Sequence, residues 1–325
     1  MLTDDNIYIG QACGKIIVSG EHSVVYGKPC IASSIPLYLQ VFLQQTHVHE
    51  STCIQLYYKD NIQLTIDQRL KDAIHHIIPH NGWNIRIQSD IPFSSGMGSS
   101  AAFAVSLLRA WASAQNQNWT EKVYLQKAHE IECFFHGTPS GIDHTVIFHD
   151  ACIWFQKHSS GTINMHQTKI PELHLVVINS QIKGNTKEQV EKVRQGTKKN
   201  MSTIEEIGNC TENIYDCIDK LYQYTLEKKE FSVGSVYHIE QQKLGSLILH
   251  NHRLLKQLGV SHPVLDEIVT HCINQGCLGA KMAGSGGGGI VFAYVHTQEK
   301  QIEITETIGG MGYDAFPLTL SSLRK

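Results

Sequence analysis

The stretch that most constrains this 325-residue chain runs from Ile91 to Ala102, Ile-Pro-Phe-Ser-Ser-Gly-Met-Gly-Ser-Ser-Ala-Ala. Ahead of it, Asn84 to Ile91 alternates, with Ile85 and Ile87 on one side and Arg86 and Gln88 on the other, the period of a half-buried strand. Behind it, Ala101 to Trp111 is rich in good helix formers and apolar nearly all round, which predicts a buried helix. A turn must join the two. Gly96 and Gly98 permit positive φ and leave backbone bare to a ligand, while Ser94, Ser95, Ser99 and Ser100 add hydroxyls. The helix start aims unpaired N–H groups and the positive end of its dipole at that turn, which is how phosphate is bound. No Gly-Lys-Ser/Thr closes the loop, so it is not a Walker A motif. Taken alone, the string would serve equally as a Gly/Ser loop capping a core helix.

Two further glycine-rich segments favour the anion cradle. Gly14 to Pro29 reads Gly-Lys-Ile-Ile-Val-Ser-Gly-Glu-His-Ser-Val-Val-Tyr-Gly-Lys-Pro, and Lys281 to Phe292 contains four consecutive glycines, Gly286 to Gly289. Ordering four glycines costs more backbone entropy than an ordinary turn requires. Between these segments lies His136-Gly137-Thr138-Pro139-Ser140-Gly141-Ile142-Asp143, with Glu132 eleven positions before Asp143.

Composition narrows the class. The length is that of about two domains. A net charge of −3 with 18% charged residues indicates neither a nucleic-acid groove nor an acidic tail, so no nucleic-acid partner is expected. The nine cysteines form no Cys-x-x-Cys pair, which argues against a disulfide framework or zinc site and fits a reducing, cytoplasmic setting. Met1 to Asp5 lacks a signal-peptide pattern, and no apolar run reaches the roughly 18 residues a membrane span needs. The nineteen histidines show no metal-ligand spacing, and His75-His76 and His250-x-His252 read as surface residues.

Strand and helix signals alternate up to about residue 178. Ile16 to Val18, Cys30 to Ala32, Leu37 to Leu43, Cys53 to Tyr58, Asn84 to Ile91, Cys152 to Phe155 and Leu173 to Ile178 read as strands. Asp67 to Ile78, Ser99 to Ala114 and Glu121 to Phe135 read as helices, the last with Thr120 as its cap and Gly137 as its stop. Beyond Asn185 the chain turns amphipathic over Thr186 to Ile207, Glu212 to Lys229 and Phe231 to Leu258, followed by a helix at Pro263 to Gln275 and a strand at Ile290 to Val295. The sequence thus predicts an α/β (α+β) protein, with a boundary at residues 180 to 185.

With all three glycine-rich motifs in order over residues 14 to 289, the chain resembles the GHMP superfamily of small-molecule kinases. Pro92 to Ala101, Pro-x-x-x-Gly-Met-Gly-Ser-Ser-Ala, marks the superfamily. Gly20-Glu21-His22 followed by Val24-Val25-Tyr26-Gly27, and His136-Gly137-x-Pro139-Ser140-Gly141-x-Asp143, are similar to the mevalonate kinase family in particular, as is Asn185-Thr186-Lys187. The resemblance implies the GHMP kinase fold. Its N-terminal domain, of the ribosomal-protein S5 domain-2 type, would cover residues 1–182, and its C-terminal ferredoxin-like domain residues 183–325.

The implied activity is ATP- and Mg²⁺-dependent phosphorylation of mevalonate to 5-phosphomevalonate. Residue by residue, the resemblance puts Ser94, Ser95, Gly96, Met97, Gly98, Ser99 and Ser100 at the ATP polyphosphate and makes Ser100 and Glu132 the Mg²⁺ ligands. Asp143 and Lys15 become the catalytic pair, with Asp143 as base or as positioning group. Glu21, His22, Thr186 and Gly286 stand as substrate-binding candidates. Glu21 and His22 would equally brace a loop, Thr186 would equally start a helix, and the Gly286 turn would equally serve packing. Family members are often dimers, so a homodimer is an outcome to test.

Three other readings fit the motifs less closely: a GHMP kinase for another hydroxy acid or polyol, a diphosphomevalonate decarboxylase-like lyase, and a nucleotide-binding regulator without turnover. The chain also departs from the family pattern. Cys13 replaces a proline, Ala283 and Ser285 stand where threonine and alanine are usual, and Gly184 replaces an often basic residue.

Overall fold

The computed structural model describes residues 7–59, 62–93, 95–137, 139–158, 160–229 and 232–322. Among the site residues predicted above, Ser94 lies outside the described residues. In chain order the first elements are β1 Ile7–Ser19, β2 Cys30–Gln45, β3 Cys53–Tyr58, β4 Ile62–Leu64, α1 Gln68–His75 and β5 Trp83–Ser89. Next come α2 Ser99–Ala114, α3 Glu121–His136, α4 Ile142–His149, β6 Cys152–Lys157, β7 Ile163–Gln167 and β8 Leu173–Asn179. The remainder is α5 Thr186–Gln195, α6 Thr197–Leu226, α7 Val236–Gln257, α8 Pro263–Asn274, β9 Gly279–Ala283, β10 Ile290–Val295, α9 Gln298–Gly310 and β11 Asp314–Leu320.

Two compact units emerge, and the chain passes between them more than once. Of the described residues, one holds those within 7–15, 36–93 and 97–150; the other holds those within 16–35, 95–96 and 151–322. Strand β2 passes from the second unit to the first at Pro36. Proline cannot donate to a ladder, and it stands where β2 stops pairing with β6 (Cys30 to Ser33) and before it pairs with β5 (Leu39 to Gln45).

In the first unit β5 lies between antiparallel β2 and parallel β3, and β4 pairs with β3. Helix α2 packs on α3 and α4, and Ala101 to Leu108 are all buried, as an all-round apolar helix must be. Asp67 caps α1 by accepting from the Leu70 N–H at 2.9 Å. Gly137, at φ +71, ends α3, whereas Thr120 stands at its N-cap without a side-chain cap bond.

In the second unit the four strands β11-β8-β10-β9 form an antiparallel sheet. Helices α5 to α8 lie between β8 and β9 in the chain and α9 between β10 and β11, so the order is that of a ferredoxin-like βαββαβ arrangement. Strands β6 and β7 extend from the first segment of β2.

Several predicted boundaries shift. The break expected between Ile207 and Glu212 does not occur: α6 runs 30 residues unbroken, and the interruption is at Gly196. Gly208, a residue that breaks isolated helices, is retained because the methylenes of Lys28 lie where its Cβ would be, 3.1 to 3.2 Å away. Helices α4 and α9, strands β4, β7, β9 and β11 and the full extent of β1 are additions to the sequence reading. His252 is a correction: it is not a surface residue but 4% exposed, with its Nδ1 accepting from the Met282 N–H at 3.3 Å.

Candidate active site

The first unit assembles one group of the predicted residues. Lys15, near the end of the β1 segment in that unit, donates its backbone N–H to the Met97 carbonyl at 3.0 Å. Its side chain then passes over Gly98, where a Cβ would come within 2.8 Å of the Lys15 Cγ. Gly98 is also at φ +77, so both the turn and the crossing lysine require glycine. The Lys15 ammonium ends 3.1 Å from Asp143 Oδ1. Lys15 is 3% exposed and Asp143 29%, so the lysine is fixed from below while its carboxylate partner meets solvent.

Asp143 sits in the first turn of α4, which begins after Gly141 at φ +95 and is held by the Thr145 hydroxyl donating to the Gly141 carbonyl at 2.6 Å. The sequence reading had no helix here. The eight residues of α4, Ile-Asp-His-Thr-Val-Ile-Phe-His, do not separate polar from apolar positions onto two faces and so carry little periodicity.

Beside this pair lie the two candidate cation ligands. Ser100, in the first turn of α2, has its Oγ 3.4 Å from Glu132 Oε1 and 2.9 Å from His136 Nε2. Glu132 is 1% exposed, and its Oε2 accepts from His144 Nδ1 at 2.6 Å. Among the described residues no lysine or arginine pairs with this carboxylate, although a buried anion needs compensation. A hydroxyl and a carboxylate, both hard oxygen donors, suit a hard divalent cation that keeps most of its water. The donor set therefore fits Mg²⁺.

The second unit gathers the other predicted residues around the last glycine loop. Glu21 is buried, and one carboxylate oxygen pairs with Lys281, a wholly buried lysine on β9 whose ammonium also lies over the Phe292 ring. His22, at φ +61, stands with its Nε2 2.9 Å from the Ser285 carbonyl. Burial lowers its pKa, the bond to Ser285 opposes this and Lys281 adds to it, so the ring is neutral and donates Nε2–H to the carbonyl. The Ser285 hydroxyl donates to Thr186 Oγ1 at 3.0 Å. Thr186 is the first residue of α5, whose cap is Asn185, accepting from the Glu188 N–H at 3.3 Å.

The glycines of this loop answer to packing. A Cβ on Gly286 would lie 2.1 Å from the Val260 carbonyl oxygen. A Cβ on Gly184 would lie 2.7 Å from the Gly286 oxygen, which is why no basic side chain stands there. Ser95 and Gly96 belong to this unit as well: their backbone lies against Gly289 and against Ala283 and Gly284. The segment read as one cradle is thus divided, with Met97 to Ser100 in the first unit.

Lys281 and His144 were not predicted as site residues. Lys281 leaves a sequence signal, a single lysine in a strand of otherwise small and apolar residues, since lysine is almost never buried without a partner. His144 leaves none beyond adjacency to Asp143.

Residues 63–150 match the family model of the GHMP kinases N-terminal domain, and residues 236–314 that of the GHMP kinases C-terminal domain. The chain is 32% identical to the mevalonate kinase of Thermococcus sibiricus over 93% of its own length and 94% of the relative's. It is 29% identical to that of Pyrococcus abyssi over 94% and 93%. Among solved structures, L. major mevalonate kinase in complex with R-mevalonate superposes with a TM-score of 0.76 at 23% identity, covering 100% of this chain and 99% of that one. Staphylococcus aureus mevalonate kinase gives 0.70 at 23% identity over 96% and 98%; both likenesses concern the fold. With its three motifs in order and near-complete overlap with these relatives, the chain belongs to the mevalonate kinase family of the GHMP kinases.

Proposed function

We propose that this protein transfers the γ-phosphoryl group of ATP to the primary hydroxyl of mevalonate, giving 5-phosphomevalonate and ADP. The observation that carries the reading is the Lys15–Asp143 pair, with a fixed lysine and a solvent-facing carboxylate next to the N-terminus of α2. Phosphoryl transfer asks little covalent chemistry of a protein: it needs positioning, charge neutralisation and an acceptor hydroxyl that loses its proton. Asp143 orients that hydroxyl and accepts its proton, and Lys15 offsets charge developing on the transferred group. The backbone of Met97 to Ser100, at the start of α2, would hold the polyphosphate through its N–H groups. Ser100 and Glu132 would hold Mg²⁺, which would supply neutralisation of charge on the phosphates.

In the second unit His22, Ser285 and Thr186 are joined by hydrogen bonds beside the glycine loop and are the acceptor-binding candidates, while Glu21, next to His22, braces that group through Lys281. The Ser285 hydroxyl bears on the departure at Ala283: the hydroxyl missing there is present two residues on, in contact with Thr186. The domain division at residue 182, a homodimeric assembly and a cytoplasmic setting complete the proposal. The nine cysteines, none joined in a disulfide, support that setting, and among the described residues no helix is long and apolar enough to cross a membrane.

The test is incubation with Mg·ATP and mevalonate, following ADP release and identifying the product by phosphorus NMR, with Asp143→Ala in parallel. A 5-phosphomonoester made by the wild type and lost in the variant is the expected result. No ADP release with mevalonate, despite ATP binding, would overturn the substrate and lead to a panel of other hydroxy acids and polyols.

A further inference from the structure

Helix α4 carries Asp143 and His144 in adjacent positions of its first turn, and the two side chains engage different partners. Asp143 meets Lys15, and His144 meets Glu132 on α3. A carboxylate only accepts hydrogen bonds, so His144 Nδ1 carries the hydrogen and donates it to Glu132 Oε2 at 2.6 Å. Both side chains are buried, at 4% and 1% exposure, and the His129 ring lies edge-on to His144 with centroids 5.5 Å apart.

With Oε2 held in this way, Oε1 is the oxygen left towards Ser100. A glutamate has three rotatable side-chain bonds, and one strong bond to a ring fixed on another helix removes most of that freedom. Ligating carboxylates elsewhere depend on such outer hydrogen bonds to hold their orientation. We infer that His144 is a positioning residue which fixes Glu132 as a divalent-cation ligand, so that α4 sets the acid at the acceptor and the cation ligand by the same turn of backbone. The inference rests on Ser100 and Glu132 being the cation ligands proposed above.

The experiment measures binding of Mn²⁺ to the full chain by the EPR signal of free Mn²⁺ at saturating ADP. The variants are His144→Leu, His144→Phe, His144→Asn and Glu132→Gln, each checked for its melting temperature. Leucine and phenylalanine, which cannot donate, are expected to weaken Mn²⁺ binding by about tenfold to a hundredfold. Asparagine, which keeps an N–H donor, is expected to restore most of it. Phenylalanine keeps the ring volume and serves if the leucine variant does not fold.

Wild-type affinity in a folded His144→Phe protein, with binding lost in Glu132→Gln, would overturn the inference and leave the cation site standing. An equal loss in the asparagine and phenylalanine variants would overturn it too, because ring packing and not donation would then be what Glu132 needs. Wild-type affinity in Glu132→Gln would remove the cation-ligand reading itself, and the inference with it.

Discussion

Each unit of this protein contains a lysine paired with a carboxylate, and the pairs differ in what surrounds them. Lys15–Asp143 in the first unit leaves the acid 29% exposed, whereas Lys281–Glu21 in the second buries both partners almost completely. An ion pair with one accessible member can act on a ligand. A pair withdrawn from water can only hold its own neighbours in place, since burial makes an unpaired charge prohibitive. A lysine–carboxylate pair thus gives rigidity in one unit and, on the proposed function, chemistry in the other, with exposure of the acid as the deciding variable.

The largest expected effect tests the reactive side. Asp143→Ala should lower kcat by about 10² to 10⁴, the range for losing a general base or the group that positions the nucleophile. Its melting temperature should also fall, because the Lys15 ammonium, 3% exposed, loses its partner; turnover near wild type would break the comparison. On the rigid side, Lys281→Met should destabilise the fold by about 3 to 5 kcal/mol in urea unfolding, because Glu21 is left as a buried unpaired anion. Combining it with Glu21→Gln should recover much of that loss, and Lys15→Met should cost less than Lys281→Met. Equal costs at the two lysines would mean that exposure does not separate the pairs.

A smaller effect follows pH. His252, buried near Lys281, has its pKa lowered to about 4: burial is the main cause, Asp266 opposes it, and Lys281 and Lys256 add to it. Between about 6.5, the ordinary value, and about 4 the unfolded chain binds the extra proton. Stability should therefore fall as pH drops through that window, by about 3 kcal/mol in all. Urea midpoints of wild type and His252→Asn across the window would show it, the variant having the flatter profile. The smallest effect expected is from Ser285→Ala. Losing one neutral hydrogen bond, about 0.5 to 1.5 kcal/mol, should raise KM for the acceptor several-fold and leave KM for ATP unchanged.

Local chemistry made the glycine-rich turns, α2 and strand β5 legible in the sequence, since a buried helix is apolar all round, a half-buried strand alternates and glycines punctuate the chain. The Gly196 break was missed because Gly208 looks like the stronger interruption until Lys28 is seen lying against it. Helix α9 and strand β11 were missed because their pattern is weak. At the site, Lys15, Ser100, Glu132 and Asp143 became candidates through the family resemblance, and the first unit pairs Lys15 with Asp143 and Ser100 with Glu132. What Glu21 does was not legible, since the choice between touching a ligand and bracing a loop depends on a lysine 260 positions away.

The sequence by itself determined which segments turn and which helix is buried, because these follow from periods and residue types along the chain, and its three motifs carried the superfamily resemblance and the candidate residues for phosphoryl transfer. Only the tertiary structure decided that Glu21 is withdrawn against Lys281, that Gly184 must stay bare beneath Gly286, and that His144 holds Glu132. Those outcomes depend on burial and on contacts between residues far apart in the chain, and no local pattern encodes either.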